Sequence, residues 1–143
     1  PARDQLRLEA APRARRLVTA AEVGRRGEDL AVEFLEAKGF RVMDRNYRFG
    51  REEVDIVAFE PTPKNDGGMI VFVEVKARSG TGYGRPEAAV DEAKQRAIKR
   101  VAEAYLHERR LIPSPTRFDV VAVLFGDGPP EIEHFDNAFG YFV

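Results

Sequence analysis

Apolar residues recur with a helical period early in the chain, then with a strand period through most of the rest. Leu30, Ala31, Phe34 and Leu35 fall at helical spacing, and Gly39 stands where a left-handed residue closes a helix, so a helix is expected from about Ala21 to Lys38. Strands are expected from about Phe40 to Tyr47, Glu53 to Phe59 and Met69 to Arg78, separated by turns at Phe49-Gly50-Arg51 and Pro61–Gly68. Pro86 suits the first turn of a long helix running to about Arg109, whose inward stripe is Val90, Ala97, Ile98, Val101 and Tyr105. A strand from about Arg117 to Phe125 and a short one near Glu131–Phe135 complete the order α-β-β-β-α-β-β. That order predicts an α/β fold, a mixed central sheet with a helix on each face. Residues 1–20, rich in Ala, Pro and Arg without a sustained period, read as a flexible basic arm, and residues 21–143 as a single domain. Phe135, Phe139, Tyr141 and Phe142 are expected to cover the sheet.

Composition narrows the function classes. The chain has 143 residues, 43% hydrophobic and 33% charged, the balance of a folded soluble domain. Its apolar stretches, such as Met69–Val73, fall far short of the ~20 residues a membrane span needs. Leu17–Ala21 is too short and too weakly apolar for a secretory core, so a cytoplasmic protein without a membrane partner is expected. Cysteine is absent, which removes disulfides and thiolate chemistry, and two histidines, His107 and His134, are few for a His-rich metal site or a Ser-His-Asp triad.

The net charge of −1 conceals local asymmetry. Residues 1–26 carry seven arginines against Asp4, Glu9 and Glu22, and Arg41, Arg45, Arg48 and Arg51 stand against Asp44 alone. Such patches suit a polyanion. Eighteen of the 23 basic residues are arginine, so codon bias accounts for the same pattern.

The chemistry rests on charges placed where apolar residues belong. By strand alternation Val71, Val73 and Val75 share one face, and Phe72, Glu74 and Lys76 the other. Likewise Val54, Ile56 and Ala58 are expected on one face, with Glu53, Asp55, Val57 and Phe59 opposite. Asp55 and Glu74 are thus carboxylates inside strongly apolar strands, and a buried carboxylate needs a cation or a partner. If the two strands form a hairpin, Asp55, Glu74 and Lys76 converge at one edge. Two carboxylates suit a hard divalent ion such as Mg²⁺ (or Mn²⁺), and a lysine two residues away can position water or a phosphate for phosphodiester hydrolysis. Val-Glu-Val-Lys alone reads more simply as a half-exposed antiparallel strand. The helices shift that balance: Glu28 lies on the apolar face of the first, at i, i+4 and i+7 with Val32 and Leu35, and Lys94 projects into the inward stripe of the second. A purely structural Glu28–Lys94 or Asp55–Lys94 ion pair is the competing explanation. Gly80-Thr81-Gly82-Tyr83-Gly84 matches no nucleotide-binding pattern and reads as a loop at the lip of a site.

These residues, taken in order, are familiar. Gly24-x-x-Gly27-Glu28-x-x-Ala31, Asn46-Tyr47-Arg48, Glu53-Val54-Asp55-Ile56-Val57, Phe72-Val73-Glu74-Val75-Lys76-x-Arg78, Lys94 and Arg117-Phe118-Asp119-Val120-Val121 resemble the YraN family of predicted endonucleases. That family is related to the Holliday-junction resolvases of the PD-(D/E)xK nuclease superfamily. The resemblance runs from about Gly24 to Val123. It implies a restriction-endonuclease-like fold, Asp55 and Glu74 as metal ligands, Glu28 as an assisting acid, Lys76 as the catalytic lysine and Lys94 as a further site residue. One position departs from it: Glu52 stands where the family usually has glycine.

The leading expectation is therefore a metal-dependent endonuclease acting on nucleic acid, with branched DNA as a candidate substrate. A non-catalytic DNA-binding module that retains the nuclease fold is the alternative, and a protein-interaction domain with a structural charge cluster a third. A junction-cutting enzyme calls for a homodimer, for which the sequence carries no interface signal.

Overall fold

The computed structural model describes residues 19–62, 67–80 and 90–140. Helix α1 spans Ala20–Ala37, and strands β1 (Arg41–Phe49), β2 (Glu52–Glu60) and β3 (Met69–Ser79) follow. Helix α2 (Glu92–Glu108) precedes β4 (Thr116–Phe125) and β5 (Glu131–Phe135). The five strands form one mixed sheet in sequence order, antiparallel except for the parallel β3–β4 pair. A parallel pair needs a crossover, and the segment carrying α2 supplies it. The arrangement is the expected α/β fold with a helix on each face, compatible with the nuclease-like architecture that the resemblance implies.

Both ends of α1 are chemically specified. Thr19 caps its start, its hydroxyl accepting from the Glu22 N–H at 3.1 Å. The helix thus takes in Ala20, and its cap Thr19, from the end of the segment assigned by sequence to the arm; residues 1–18 lie outside the described residues. At the other end Gly39 adopts φ 97° and donates to the Glu36 carbonyl, while Phe40 N–H reaches the Leu35 carbonyl, both at 3.0 Å. This double closure satisfies two orphan carbonyls and drops Phe40 onto Leu35 in the core. The second helix begins at Glu92, capped by Asp91, whose side chain accepts from Lys94 N–H at 2.8 Å. Pro86–Ala89, the expected first turn, lie outside the described residues, as do Thr81–Gly84 of the glycine-rich loop.

Two apolar layers flank the sheet. On the α1 side Ala31, Leu35, Phe40, Val71, Val73 and Val121 are buried, and on the α2 side Phe72, Ile98, Val101, Tyr105, Phe118 and Val120. Phe135 and Phe139 pack against the α2-side layer as expected; Tyr141 and Phe142 lie outside the described residues. Hydrogen bonds of 2.7 Å from Tyr105 to Asp44 and from Tyr47 to Glu108 tie α2 to β1. Burial, together with these carboxylate partners, pushes both phenols upward in pKa, so both remain protonated donors at neutral pH.

Glycine 27 is buried at the crossing of α1 over β3. A methyl group there would fall on the Ala77 side chain, so only glycine allows this approach. Gly27→Ala should force the two elements apart at a cost of about 1–3 kcal/mol, read as a lower urea midpoint. An unchanged midpoint would mean that the crossing adjusts freely.

One expectation about faces is corrected. Val54 and Val57 both pack on the α2 side, whereas Ile56 and Ala58 pack on the α1 side, so alternation along β2 breaks at Asp55. On the neighbouring strand Asn46, between the pairs Arg45↔Ile56 and Tyr47↔Val54, takes φ 53°. A left-handed residue within one strand re-aims the side chains around it, which alternation counting cannot foresee.

Candidate active site

The site forms where two strands part. The antiparallel ladder between β2 and β3 ends at Ile56↔Val73, while β3 stays paired with β4 as far as Ser79↔Phe125. The next positions in the β2–β3 register are Asp55 and Glu74. In place of a backbone acceptor, the Asp55 Oδ2 takes the Val75 N–H at 2.8 Å. The fork is thus closed by a carboxylate, midway along β3.

Glu74 is 6% exposed. Its Oε2 lies 3.2 Å from the Lys76 Nζ and 3.8 Å from the Lys94 Nζ, while its Oε1 is buried with no hydrogen-bond partner. An orphaned anionic oxygen at such depth is costly unless something cationic meets it. Burial and the adjacent Glu74 charge push the Asp55 carboxyl up to about 7, Glu28 and Glu53 adding to the rise and the Val75 N–H opposing it. Asp55 and Glu74 therefore repel each other, the condition that a hard cation relieves.

The sign of the Asp55 shift fixes a testable pH dependence. The folded protein holds this proton more tightly than the unfolded chain, so Asp55 costs nothing below about pH 4. Stability is lost as pH rises toward 7, and the full cost persists above it. Asp55→Asn should therefore raise the melting temperature at pH 8 by about 4 °C and change it little at pH 4. Excess Mg²⁺ should narrow the gap by stabilising the wild type. Equal shifts at both pH values would contradict this assignment.

Glu28 reaches the same region from α1. Its Oε1 accepts from Arg45 Nε and Nη2 at 3.2 and 2.9 Å, and its Oε2 from Asn46 Nδ2 at 2.9 Å. Asn46 also donates to Glu53, and Arg45 to Asp29. Glu28 thus contributes field to Asp55 while its own oxygens are committed to donors. Among the described residues, no group of three or more His, Asp or Glu side chains is arranged to hold a metal ion. What the fork offers is a pair of carboxylates, an acceptable protein share for Mg²⁺, which keeps several waters. A cleft of about 840 Å³ opens here between α1 and the end of β3, lined by Glu28, Arg45, Asn46, Asp55, Lys76 and Arg78 among others.

Residues 27–123 match a family model described as uncharacterised protein family UPF0102. A UPF0102 protein of Rhodococcus opacus is 47% identical over 118 residues, covering 82% of this chain and 95% of its own. One from Geobacter metallireducens is 43% identical over 117 residues (82% and 91%), and one from Symbiobacterium thermophilum 48% over 118 (82% and 95%). The chain belongs to the UPF0102 family. The family match begins one residue before Glu28 and ends in β4, so it takes in every side chain of the fork.

All five residues singled out in this UPF0102 sequence surround the fork, in two connected groups. Glu74, Lys76 and Lys94 form an ion-paired set. Asp55 and Glu28 stand beside it, Glu28 held by β1. The expected position of Lys94 and the competing ion pair are both corrected. Lys94 is not in the middle of the α2 core stripe: its side chain is 42% exposed, in the helix's first turn, and its partner is Glu74 rather than Glu28 or Asp55. Glu28 pairs with Arg45. The sequence had marked Arg45 only as part of a basic patch and Asn46 only within a motif; neither had been given the task of aiming Glu28. Glu52, the departure from the family pattern, is met by Arg100 at 3.2 Å, which directs its charge toward α2 and away from the fork.

Proposed function

We propose that this protein hydrolyses nucleic-acid phosphodiesters with a divalent metal ion held by Asp55 and Glu74. The observation that carries this reading is the buried, unpartnered Oε1 of Glu74 beside the protonation-prone Asp55. Both are hard oxygen donors, matched to Mg²⁺ or Mn²⁺. Such an ion, when bound, offsets charge on the non-bridging oxygens and acidifies the attacking water. Lys76, ion-paired to Glu74, is placed to hold that water or a phosphate oxygen. Lys94 holds the outer side of Glu74 and limits its rotation. Arg45 and Asn46 fix Glu28 beside the fork, where it orders water. The cleft, with Arg45, Lys76 and Arg78 along its lining, accommodates a phosphate backbone. Among the described residues no helix is long and apolar enough to cross a membrane.

The commitment of both Glu28 oxygens to β1 favours a second reading, a DNA-binding module on a nuclease-like fold. Labelled single-stranded, duplex, flapped and four-way-junction DNA, incubated with Mg²⁺ or Mn²⁺, separates the two. Metal-dependent products support hydrolysis and reveal the substrate class. Salt-sensitive binding without products on any substrate replaces it with the binding module.

A further inference from the structure

The β1–β2 hairpin ends in an unusual tip. Phe49 is 53% exposed, the most exposed of the large hydrophobic side chains among the described residues. It is followed by Gly50, whose φ of 63° makes the turn, and is flanked by Arg48 and Arg51, both exposed. The Arg48 side chain is 70% exposed despite a 3.1 Å contact with Glu53. An apolar ring at a hairpin tip gains nothing for folding, and its cationic flanks disfavour burial against another apolar surface.

The tip is tied by geometry to the fork. Phe49 pairs with Glu52, whose carboxylate meets Arg100 on α2, so the ring emerges on the sheet face that carries Lys94 and Glu74. Glu52 and Asp55 are three positions apart, about 10 Å at the strand rise. Lys94 and Arg100, 42% and 57% exposed, lie on that face, one at the fork on Glu74 and one near the tip on Glu52, and mark a basic track between them; Arg48, held by Glu53, lies on the other face. Successive cations ending on an exposed aromatic ring form the pattern that holds a single strand, phosphates on the cations and a base on the ring. A regular duplex offers no free base face at that distance from its cut phosphate.

We infer that Phe49 stacks on an unpaired base a few nucleotides from the phosphate held at the fork, which makes the preferred substrate one with a single-stranded segment. This rests on the proposed nucleic-acid function and names its substrate class.

Binding is the suitable readout because it needs no turnover. A single-stranded oligonucleotide carrying 2-aminopurine and a blunt duplex of the same length would be titrated in EDTA against wild type, Phe49→Ala and Phe49→Trp. The expected result is roughly tenfold weaker single-strand binding for Phe49→Ala, unchanged duplex binding, and recovery by Phe49→Trp with quenching of the 2-aminopurine. Equal single-strand affinity in wild type and Phe49→Ala overturns the stacking role, and if the wild type still cleaves DNA the proposed function stands. Absence of nucleic-acid binding by the wild type in EDTA overturns the stacking role, and absence of metal-dependent products as well overturns the proposed hydrolysis. If Phe49→Ala changes only the sedimentation of the protein and not its DNA affinity, the ring is a contact between copies and the inference fails.

Discussion

Glu74→Gln should reduce metal-dependent cleavage by about a thousandfold or more, the scale of losing a preorganised charge at a developing transition state. The substitution preserves shape but removes the anion that faces Lys76, Lys94 and the site of the cation. Relief of the Asp55–Glu74 repulsion is offset by the loss of the anion facing Lys76 and Lys94. The activity loss should therefore come with a nearly unchanged melting temperature, which separates chemistry from misfolding. Lys76→Met should cost about a hundredfold or more while leaving the Mg²⁺ concentration for half-maximal rate nearly unchanged, since Lys76 acts on water or phosphate. Lys94→Met should cost on the order of tenfold and shift that Mg²⁺ concentration upward, because its contact is with Glu74. Cleavage by Glu74→Gln at the wild-type rate, on a substrate the wild type cuts, would remove Glu74 from the site.

The candidate site was legible because charge inside an apolar strand is informative: Asp55 and Glu74 each violate the pattern around them, and hairpin pairing brings the violations together. Their convergence at a fork was not legible. Strand parity assumes a regular ladder, whereas the ladder ends at Ile56↔Val73 and the left-handed Asn46 breaks alternation beside it. Lys94 was misplaced for a related reason: a helical wheel counts positions but not where the helix starts. With Asp91 as cap, Lys94 falls in the first turn, where a long side chain reaches out along the edge. Strand bounds came within about two residues, because turns at Gly50 and Gly67-Gly68 punctuate them with positive φ. What sequence missed most completely lies at the opposite end of the α1 layer. Arg117-Phe118-Asp119 was part of a motif without a task, and His134 was noted only as a scarce histidine.

That omitted cluster carries the largest stability effect expected of any single substitution. Asp119 is 0% exposed, yet it receives four donors. Arg117 grips both oxygens at 2.9 Å, His134 Nε2 lies 2.7 Å from Oδ2, and the Asn137 N–H donates to Oδ1 at 2.9 Å. Arg117 also reaches Glu60 at 2.6 Å, and Lys38 lies 2.7 Å from the other ring nitrogen of His134. The imidazole sits edge-on against Phe34 and Phe40. Because Lys38 offers only protons, the ring must accept at Nδ1 and donate from Nε2, so the neutral tautomer fits both neighbours. One carboxylate thereby joins β2, β4, β5 and the turn after it, and through His134 the end of α1. Asp119→Ala leaves Arg117 and His134 facing an empty, water-poor space, and should cost about 3–5 kcal/mol in urea unfolding. That is a large share of the ~5–15 kcal/mol total for a domain. Burial alone would push the Asp119 carboxyl upward, but its donors from His134, Arg117 and Asn137 overcome that and hold it below the usual range. With a depressed folded pKa, its stabilisation is present above about pH 4 and disappears as pH falls through the folded value. The gap between Asp119→Ala and wild type should therefore shrink under strongly acidic conditions. His134→Phe, which keeps the apolar contacts and removes one of four donors, should cost less than half as much as Asp119→Ala. A loss under 1 kcal/mol for Asp119→Ala would show that the cluster is not what joins the sheet to the end of α1, and that the apolar layers hold that junction by themselves.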